Sequence, residues 1–535
     1  MERRTMIKVA AAGLATLVQA GGGSAQTAAT AAVPAFELDE ATVAELQAAM
    51  RTGARTSVSI AQAYFARCDA IDKAGPAINA IIERNPDALA IAEALDRERR
   101  DKGARGPLHG IPVLLKDNID TADRMRTSAG SLALGESIAP RDAHVAEKLR
   151  AAGCVILGKS NLSEWANFRG ARSTSGWSGR GGQTRNPYAL DRSTSGSSSG
   201  SGAAIAANLC AIAVGTETDG SIVSPSSVCG LVGIKPTVGL VSRAGMIPIA
   251  HSQDTAGPMT RSVADGAALL SAMAGPDPRD AATRASRGHP HADYTKFLDP
   301  AGLKGARIGV ARDFFGANDR LDKVIEDAIA ALKNAGAVVI DPVRMPSISK
   351  IGEFELDVLY FEFKAGLDAY LRTAGPGAAV RSIPELIEWN QRNAAREMQY
   401  FGQERLIAAQ KKGPLTDPAY RRAVAKCRLY SRTQGIDATL AAHRLDAIVA
   451  PTEGPAWLVD YVNGDHQTTS CSQAAAVAGY PHITVPAGFV WGLPVGVSFF
   501  ASAWSEPTLI RLAYAYEQAT KMRRPPQFLA TARLA

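Results

Sequence analysis

The sequence predicts an α/β fold in which helices cover a sheet, and three observations carry that prediction. Segments with apolar residues at helical spacing alternate with short strand-type apolar runs through most of the chain. Glycines punctuate the change, as in the helix–Gly–strand order of "DAHVAEKLRAAGCVILGKSN" (Asp142 to Asn161). Of the 535 residues, 46% are hydrophobic and 21% charged, which supports a sizeable core and excludes a disordered chain.

The first segment stands outside that fold. "MERRTMIKVAAAGLATLVQAGGGSAQ" carries Arg3-Arg4 and Lys8, then a short run of small apolar residues, then Gly and Ser before Ala25. A basic start, an apolar run and a small-residue cleavage zone describe an export signal over residues 1–25, with the mature chain starting near Gln26. The twin arginines make it the type that exports folded proteins. The run is too short and too rich in Ala and Gly to span a membrane. The expected location is the bacterial periplasm or the exterior, without membrane insertion after signal removal.

Further elements follow in order. After the helix and strand of 142–161, "AAIAANLCAIAVGTETDGSI" (Ala203 to Ile222) gives a helix-like run and then a strand-like one. "RIGVARD" (Arg307 to Asp313) is a strand, and "LDKVIEDAIAALKNAGAVVIDPV" (Leu321 to Val343) repeats the helix–Gly–strand plan. From about 347 to 430 the patterns are helical, as in "AAREMQYFGQERLIAAQKK", and predict a helical insertion over the site. "LDAIVAPT" and "PHITVPAG" are buried strands, and Ser505 to Thr520 is a closing amphipathic helix. No repeat interrupts the chain.

Charge excludes some functions. The 59 basic and 52 acidic residues are interspersed, and stretches such as "DRERRDKGAR" (Asp96 to Arg105) mix both signs. No basic block points to nucleic acid. Six scattered cysteines, without a CxxC, indicate neither a zinc site nor a disulfide framework.

One stretch imitates a linker, "STSGSSSGSG" (Ser193 to Gly202), yet it enters a core element directly. Its small residues suit close backbone packing in a tight turn. A second turn follows, in which Thr218-Asp219-Gly220-Ser221 can place successive N–H groups around one point beside the Ser221 hydroxyl. Acyl transfer needs such a nucleophile next to preorganised donors. A serine hydroxyl also needs a base, and none of the eight histidines shows a local catalytic signature. Lys116, ending the apolar run of "GIPVLLKDNIDT", is either paired with Asp117 or Asp120 or held neutral by burial.

Lys116 in "LLKDNID", Ser197 in "GSSSGSG" and Ser221 in "TETDGSI" together resemble the amidase signature family. So do "GPLHGIPVLLKDNIDT", "GKSNLSEWANFR", "GLVGIKPTVGLVSRAG" and "GYPHITVPAG", over roughly Leu38 to Gln518. The resemblance implies one α/β/α domain with a central mixed sheet, and a Ser–cis-Ser–Lys triad of Ser221, Ser197 and Lys116 with a cis bond before Ser197. The backbone N–H groups of Thr218, Asp219, Gly220 and Ser221 would form the oxyanion hole. No cofactor or metal is implied. The family's usual Gly-Gly-Ser-Ile-Arg becomes Asp219-Gly220-Ser221-Ile222-Val223 here, a variant that resembles the bacterial peptide amidase branch. The expected substrate is a small-molecule or peptide amide, releasing ammonia from C-terminal peptide amides. Aryl, fatty and small aliphatic amides remain alternatives within the family, and a monomer and a homodimer both stay open.

Two rival functions compete with that reading. Gly196-Ser197-Ser198-Ser199-Gly200 matches G-x-S-x-G, which would make Ser198 the nucleophile of an α/β-hydrolase with His443 or His482 as base. Alternatively, the chain is one subunit of an amidotransferase that works on charged transfer RNA, which the export signal opposes. Among the aromatics, Trp165, Trp177, Tyr360, Phe361, Phe363, Trp389 and Trp457 are candidates to line an apolar acyl or aryl pocket, although most are more simply core residues.

Overall fold

The computed structural model describes residues 33–289 and 291–534. The export signal expected over residues 1–25 lies outside the described residues.

Strands alternate with helices much as the periodicity requires, and they fall in this order: β1 Ile81–Arg84, β2 Pro112–Lys116, β3 Val155–Ser160, the short ribbon of β4 Trp177–Ser178 and β5 Gly182–Gln183, β6 Ile212–Glu217, β7 Val232–Lys235, β8 Thr255–Thr260, β9 Arg307–Ala311, β10 Val338–Val343, β11 Ala447–Pro451, β12 His482–Val490 and β13 Leu493–Phe500. Apart from the ribbon they form one mixed sheet, ordered β1-β3-β2-β6-β8-β7-β12-β13-β11-β9-β10. Parallel pairing joins β3–β2–β6 and β11–β9–β10, and the strands between run antiparallel. Parallel neighbours need a crossover. Helix His144–Ala151 supplies it between β2 and β3, and helix Asp319–Asn334 between β9 and β10.

Every residue of β2, β3, β6, β7 and β8 is buried, so both faces of the central sheet are covered. That is why these strands read as continuous apolar or small-residue runs rather than as an alternating pattern. Helix Asp319–Asn334 buries Leu321, Ile325, Ala328, Ile329 and Leu332, a single stripe at helical spacing. Asn318 caps it by accepting the N–H groups of Arg320 and Leu321. One hydrophobic core runs from Leu38 to Phe528, and the molecule is a single domain.

Between Gly352 and His443 the chain forms helices at Gly352–Thr373, Ile383–Arg392, Ala394–Glu397, Glu404–Gln410, Pro418–Arg428 and Asp437–His443. Phe363, Leu367, Leu371, Ile383, Leu386 and Leu406 make a second core with Trp165 and Phe168 from the loop after β3. This helical layer brings Glu355, Leu356 and Leu359 to the cavity described next.

Candidate active site

Parallel pairing sets the C-terminal ends of β2 and β6 side by side, with Leu115 opposite Val214. Ligand sites of open α/β sheets lie outside such ends. Lys116 ends β2 and is wholly buried. Its Nζ lies 2.7 Å from Ser197 Oγ, 2.9 Å from Thr216 Oγ1 and 3.2 Å from the Thr216 carbonyl oxygen. Asn118 Nδ2 donates to the same Thr216 hydroxyl at 3.0 Å.

The carboxyls next to Lys116 in sequence turn elsewhere. Asp117 accepts from the Ser128 hydroxyl and the Gly130 N–H, and Asp120 accepts from Tyr370 at 2.8 Å. Burial pulls the Lys116 ammonium down to about 7, opposed by the charges of Asp254 and Glu217. A neutral amine has two N–H groups and one lone pair. The two Thr216 oxygens match the N–H groups, which leaves the lone pair facing Ser197.

Ser197 is wholly buried and follows a cis peptide bond from Gly196. Its Oγ lies 3.1 Å from Ser221 Oγ. Backbone bonds tie the serine loops together: the Ser163 N–H donates to Ser197 O, and the Ser198 N–H donates to Ser221 O. The linker-like stretch then becomes helix Ser199–Ala206, buried at every residue. A Cβ on Gly200 would lie 2.3 Å from Ala80 O and 2.5 Å from Asn161 N, so only glycine lets this helix sit against the end of β3.

Ser198 is occupied otherwise. Its hydroxyl donates to Thr216 O at 3.0 Å and accepts the Thr216 N–H at 3.2 Å. His443 ends its helix, and His482 lies within β12 beside the Ser498 hydroxyl. Neither histidine lines the cavity, nor does Ser198. The elbow geometry therefore has neither an exposed nucleophile nor an adjacent base.

The turn from Thr218 to Ser221 is pinned at both ends. The Glu217 carboxyl accepts the N–H groups of Ile222 at 2.8 Å and Val223 at 3.1 Å, and the Thr218 hydroxyl donates to Asp254. Gly220 has φ +75°, the left-handed conformation that glycine takes at little cost. Among the described residues, no protein acceptor takes the N–H of Asp219, Gly220 or Ser221.

Comparison with known proteins gives this geometry a family. The family model described as Amidase matches residues 60–510. The chain belongs to the amidase family. A probable amidase of Arabidopsis thaliana is 42% identical over 504 residues, covering 92% of this chain and 93% of its own. A glutamyl-tRNA(Gln) amidotransferase component from Alkalilimnicola ehrlichii is 35% identical over 498 residues, 91% of this chain and 99% of its own. Among solved structures, native peptide amidase from Stenotrophomonas maltophilia has 54% sequence identity and a TM-score of 0.88, covering 92% of this chain and 100% of that chain. The peptide amidase complex with the competitive inhibitor chymostatin aligns with a TM-score of 0.89 at the same identity and coverage.

In this amidase Ser221 opens onto a cavity of about 550 Å³, while Lys116 and Ser197 lie behind it. Of the aromatic candidates only Trp457 lines that cavity, joined by Phe168. Trp165, Phe363, Tyr360 and Trp389 belong to the second core instead. Trp177 packs against Tyr400 and Phe401, and Phe361 against Tyr420. Sequence reasoning missed Thr216 and Asn118 beside Lys116, and the cavity carboxyls Glu355, Glu453 and Asp465. Thr216 had a signal, since it lies on the strand leading into the turn that carries Ser221. The carboxyls come from distant segments that only the fold assembles. All six cysteines are buried and unpaired. No helix among the described residues is long and apolar enough to cross a membrane.

Proposed function

We propose that this amidase hydrolyses carboxylic amides with Ser221 as nucleophile, Ser197 as proton bridge and Lys116 as base, and that its substrates are C-terminal amides of short peptides. The observation that carries the reading is the unbroken chain Lys116 Nζ, Ser197 Oγ, Ser221 Oγ, with links of 2.7 Å and 3.1 Å, starting from a buried lysine that has no carboxylate partner. The 54% identity to peptide amidase supports the substrate class.

Ser221 Oγ attacks the amide carbonyl carbon as its proton passes to Ser197 Oγ, while the Ser197 proton passes to the lone pair of Lys116. The carbonyl π electrons move onto oxygen. The N–H groups of Thr218, Asp219, Gly220 and Ser221 stabilise that oxyanion, each well-placed donor contributing ~3 kcal/mol. Returned through Ser197, the proton reaches the amide nitrogen, the C–N bond breaks, and ammonia leaves an ester on Ser221. Water then attacks the ester by the same relay, and the acid and free Ser221 result.

The test is ammonia release by the purified chain from peptide amides, anilides and simple aliphatic amides. Hydrolysis of terminal peptide amides by the isolated chain is expected. Cleavage of internal peptide bonds without any terminal amide would overturn the substrate, and dependence on a second protein chain would favour the amidotransferase reading. We propose export through the twin-arginine segment Arg3-Arg4, supported by the order of residues 1–25. Fractionation of cells making an Arg3→Lys/Arg4→Lys form tests it, with retention in the cytoplasm expected.

A further inference from the structure

Charge is unevenly arranged on the cavity walls. Asp219, Glu355, Glu453 and Asp465 line it, against the single guanidinium of Arg405. Two of these carboxyls satisfy one another. Asp219 and Glu355 are hydrogen-bonded together, Ser472 Oγ donates to Asp219 at 2.6 Å, and the amides of Gln253 and Gln473 donate to Glu355 at 3.0 and 2.7 Å. The charge of Arg405 acts on this pair through Glu355.

The other wall is built differently. Asp465 accepts from the Ser175 N–H, the Ser175 hydroxyl and Trp457 Nε1. Glu453 is wholly buried. Its Oε1 accepts from the Gln467 amide and from Ser195 Oγ, whereas its Oε2 has no donor. Burial, with the Asp465 carboxyl beside it, pushes Glu453 up to about 8, the Ser224 hydroxyl lies within reach and opposes that, and the main influences on both carboxyls include no Lys or Arg. A buried carboxyl oxygen without a donor is unfavourable and calls for a partner. Ser195, which holds Glu453, lies two residues before Ser197, so this wall adjoins the reacting centre.

We propose that Glu453 Oε2, backed by Asp465 and Trp457, is a subsite for a cationic nitrogen in the acyl portion of the substrate. That nitrogen is either the α-ammonium of a short peptide amide or a basic side chain. An ammonium supplies the missing donor, favours the charged carboxylate that burial alone disfavours, and can rest against the Trp457 ring. The inference rests on the reading of Ser221 as nucleophile in the same cavity.

Four amides sharing one leaving end separate the possibilities: Ala-Phe-amide, N-acetyl-Ala-Phe-amide, N-acetyl-Lys-Phe-amide and N-succinyl-Ala-Phe-amide. The wild-type chain is expected to favour a cationic member over the succinyl member by about tenfold or more in kcat/KM. Glu453→Gln is expected to erase most of that preference through KM, with the acetyl-Ala substrate changed by less than about threefold. Loss confined to Ala-Phe-amide assigns the α-ammonium, and loss confined to the acetyl-Lys substrate assigns the side chain. An unchanged ratio in Glu453→Gln overturns the proposal. Should that variant fail to fold, competitive binding of phenethylammonium and 3-phenylpropionate to the wild-type chain decides. Equal or tighter binding of the anion overturns the subsite. Absence of turnover on all four amides, with the ammonium still bound, would instead count against the peptide amide substrate and leave the subsite standing.

Discussion

Lys116 carries the site because its charge state is set by position. Wholly buried and offered only hydroxyl and carbonyl partners, it is poised near neutrality where an exposed lysine stays protonated. Lys116→Ala is expected to lower kcat by about 10²–10⁴-fold, with the fold retained by circular dichroism. Ser198→Ala leaves nucleophile, bridge and base in place and loosens only the Thr216 backbone, so it should cost far less. Equal losses in the two variants would return Ser198 to the reaction.

The pH profile follows from the same residue. If Lys116 is the base, as proposed, its active form is neutral; burial pulls the group down to about 7, so kcat/KM should rise with pH through a midpoint near 7 and fall below it. Asp254 holds that value up by its negative charge. Asp254→Asn removes the charge and keeps an acceptor for the Thr218 hydroxyl, though not the one that takes the Ile249 and Ala250 N–H groups, and should move the midpoint to lower pH. A midpoint unmoved, or moved upward, rules out Lys116 as the titrating base.

At the scale of elements, helix Ser199–Ala206 is the piece that turns a serine-rich stretch into a site. Gly200→Ala forces a methyl group onto the Ala80 carbonyl and the Asn161 backbone. It should destabilise the chain by roughly 1–3 kcal/mol and reduce activity more than its distance from Ser221 suggests. A thermal melt beside kcat measures both, and a neutral outcome would show that the helix can shift without disturbing Ser197.

The elements also show what was legible beforehand. β2, β6 and the helix Asp319–Asn334 announce themselves by apolar runs and a one-sided stripe, because local burial leaves a local pattern. Lys116 was legible as a choice between pairing and neutrality, and its environment then decided. Glu453 and Glu355 were not legible. Their significance comes from facing Ser221 across the cavity after more than a hundred residues of intervening chain, and no spacing rule records that. Trp165 and Phe363 fall in the second core, as expected of most of the aromatics, but composition alone did not single out Trp457 as the one that lines the cavity.

Over the whole molecule, basic residues outnumber acidic ones, 59 to 52, yet the reaction cavity collects four carboxyls and one guanidinium. Burial pushes Asp219 and Glu453 up to about 8, so hydrolysis turns a neutral amide into a carboxylate beside carboxyls that themselves become anionic as the pH rises to that value. At pH 8 the acid product should therefore inhibit at least about tenfold more weakly than the matching amide binds, measured as Ki against KM. Equal values would mean the wall charges are neutralised in the complex. Weak binding of the acid thus keeps the cavity free for the next amide, while the balance between hydrolysis and synthesis stays with the overall equilibrium.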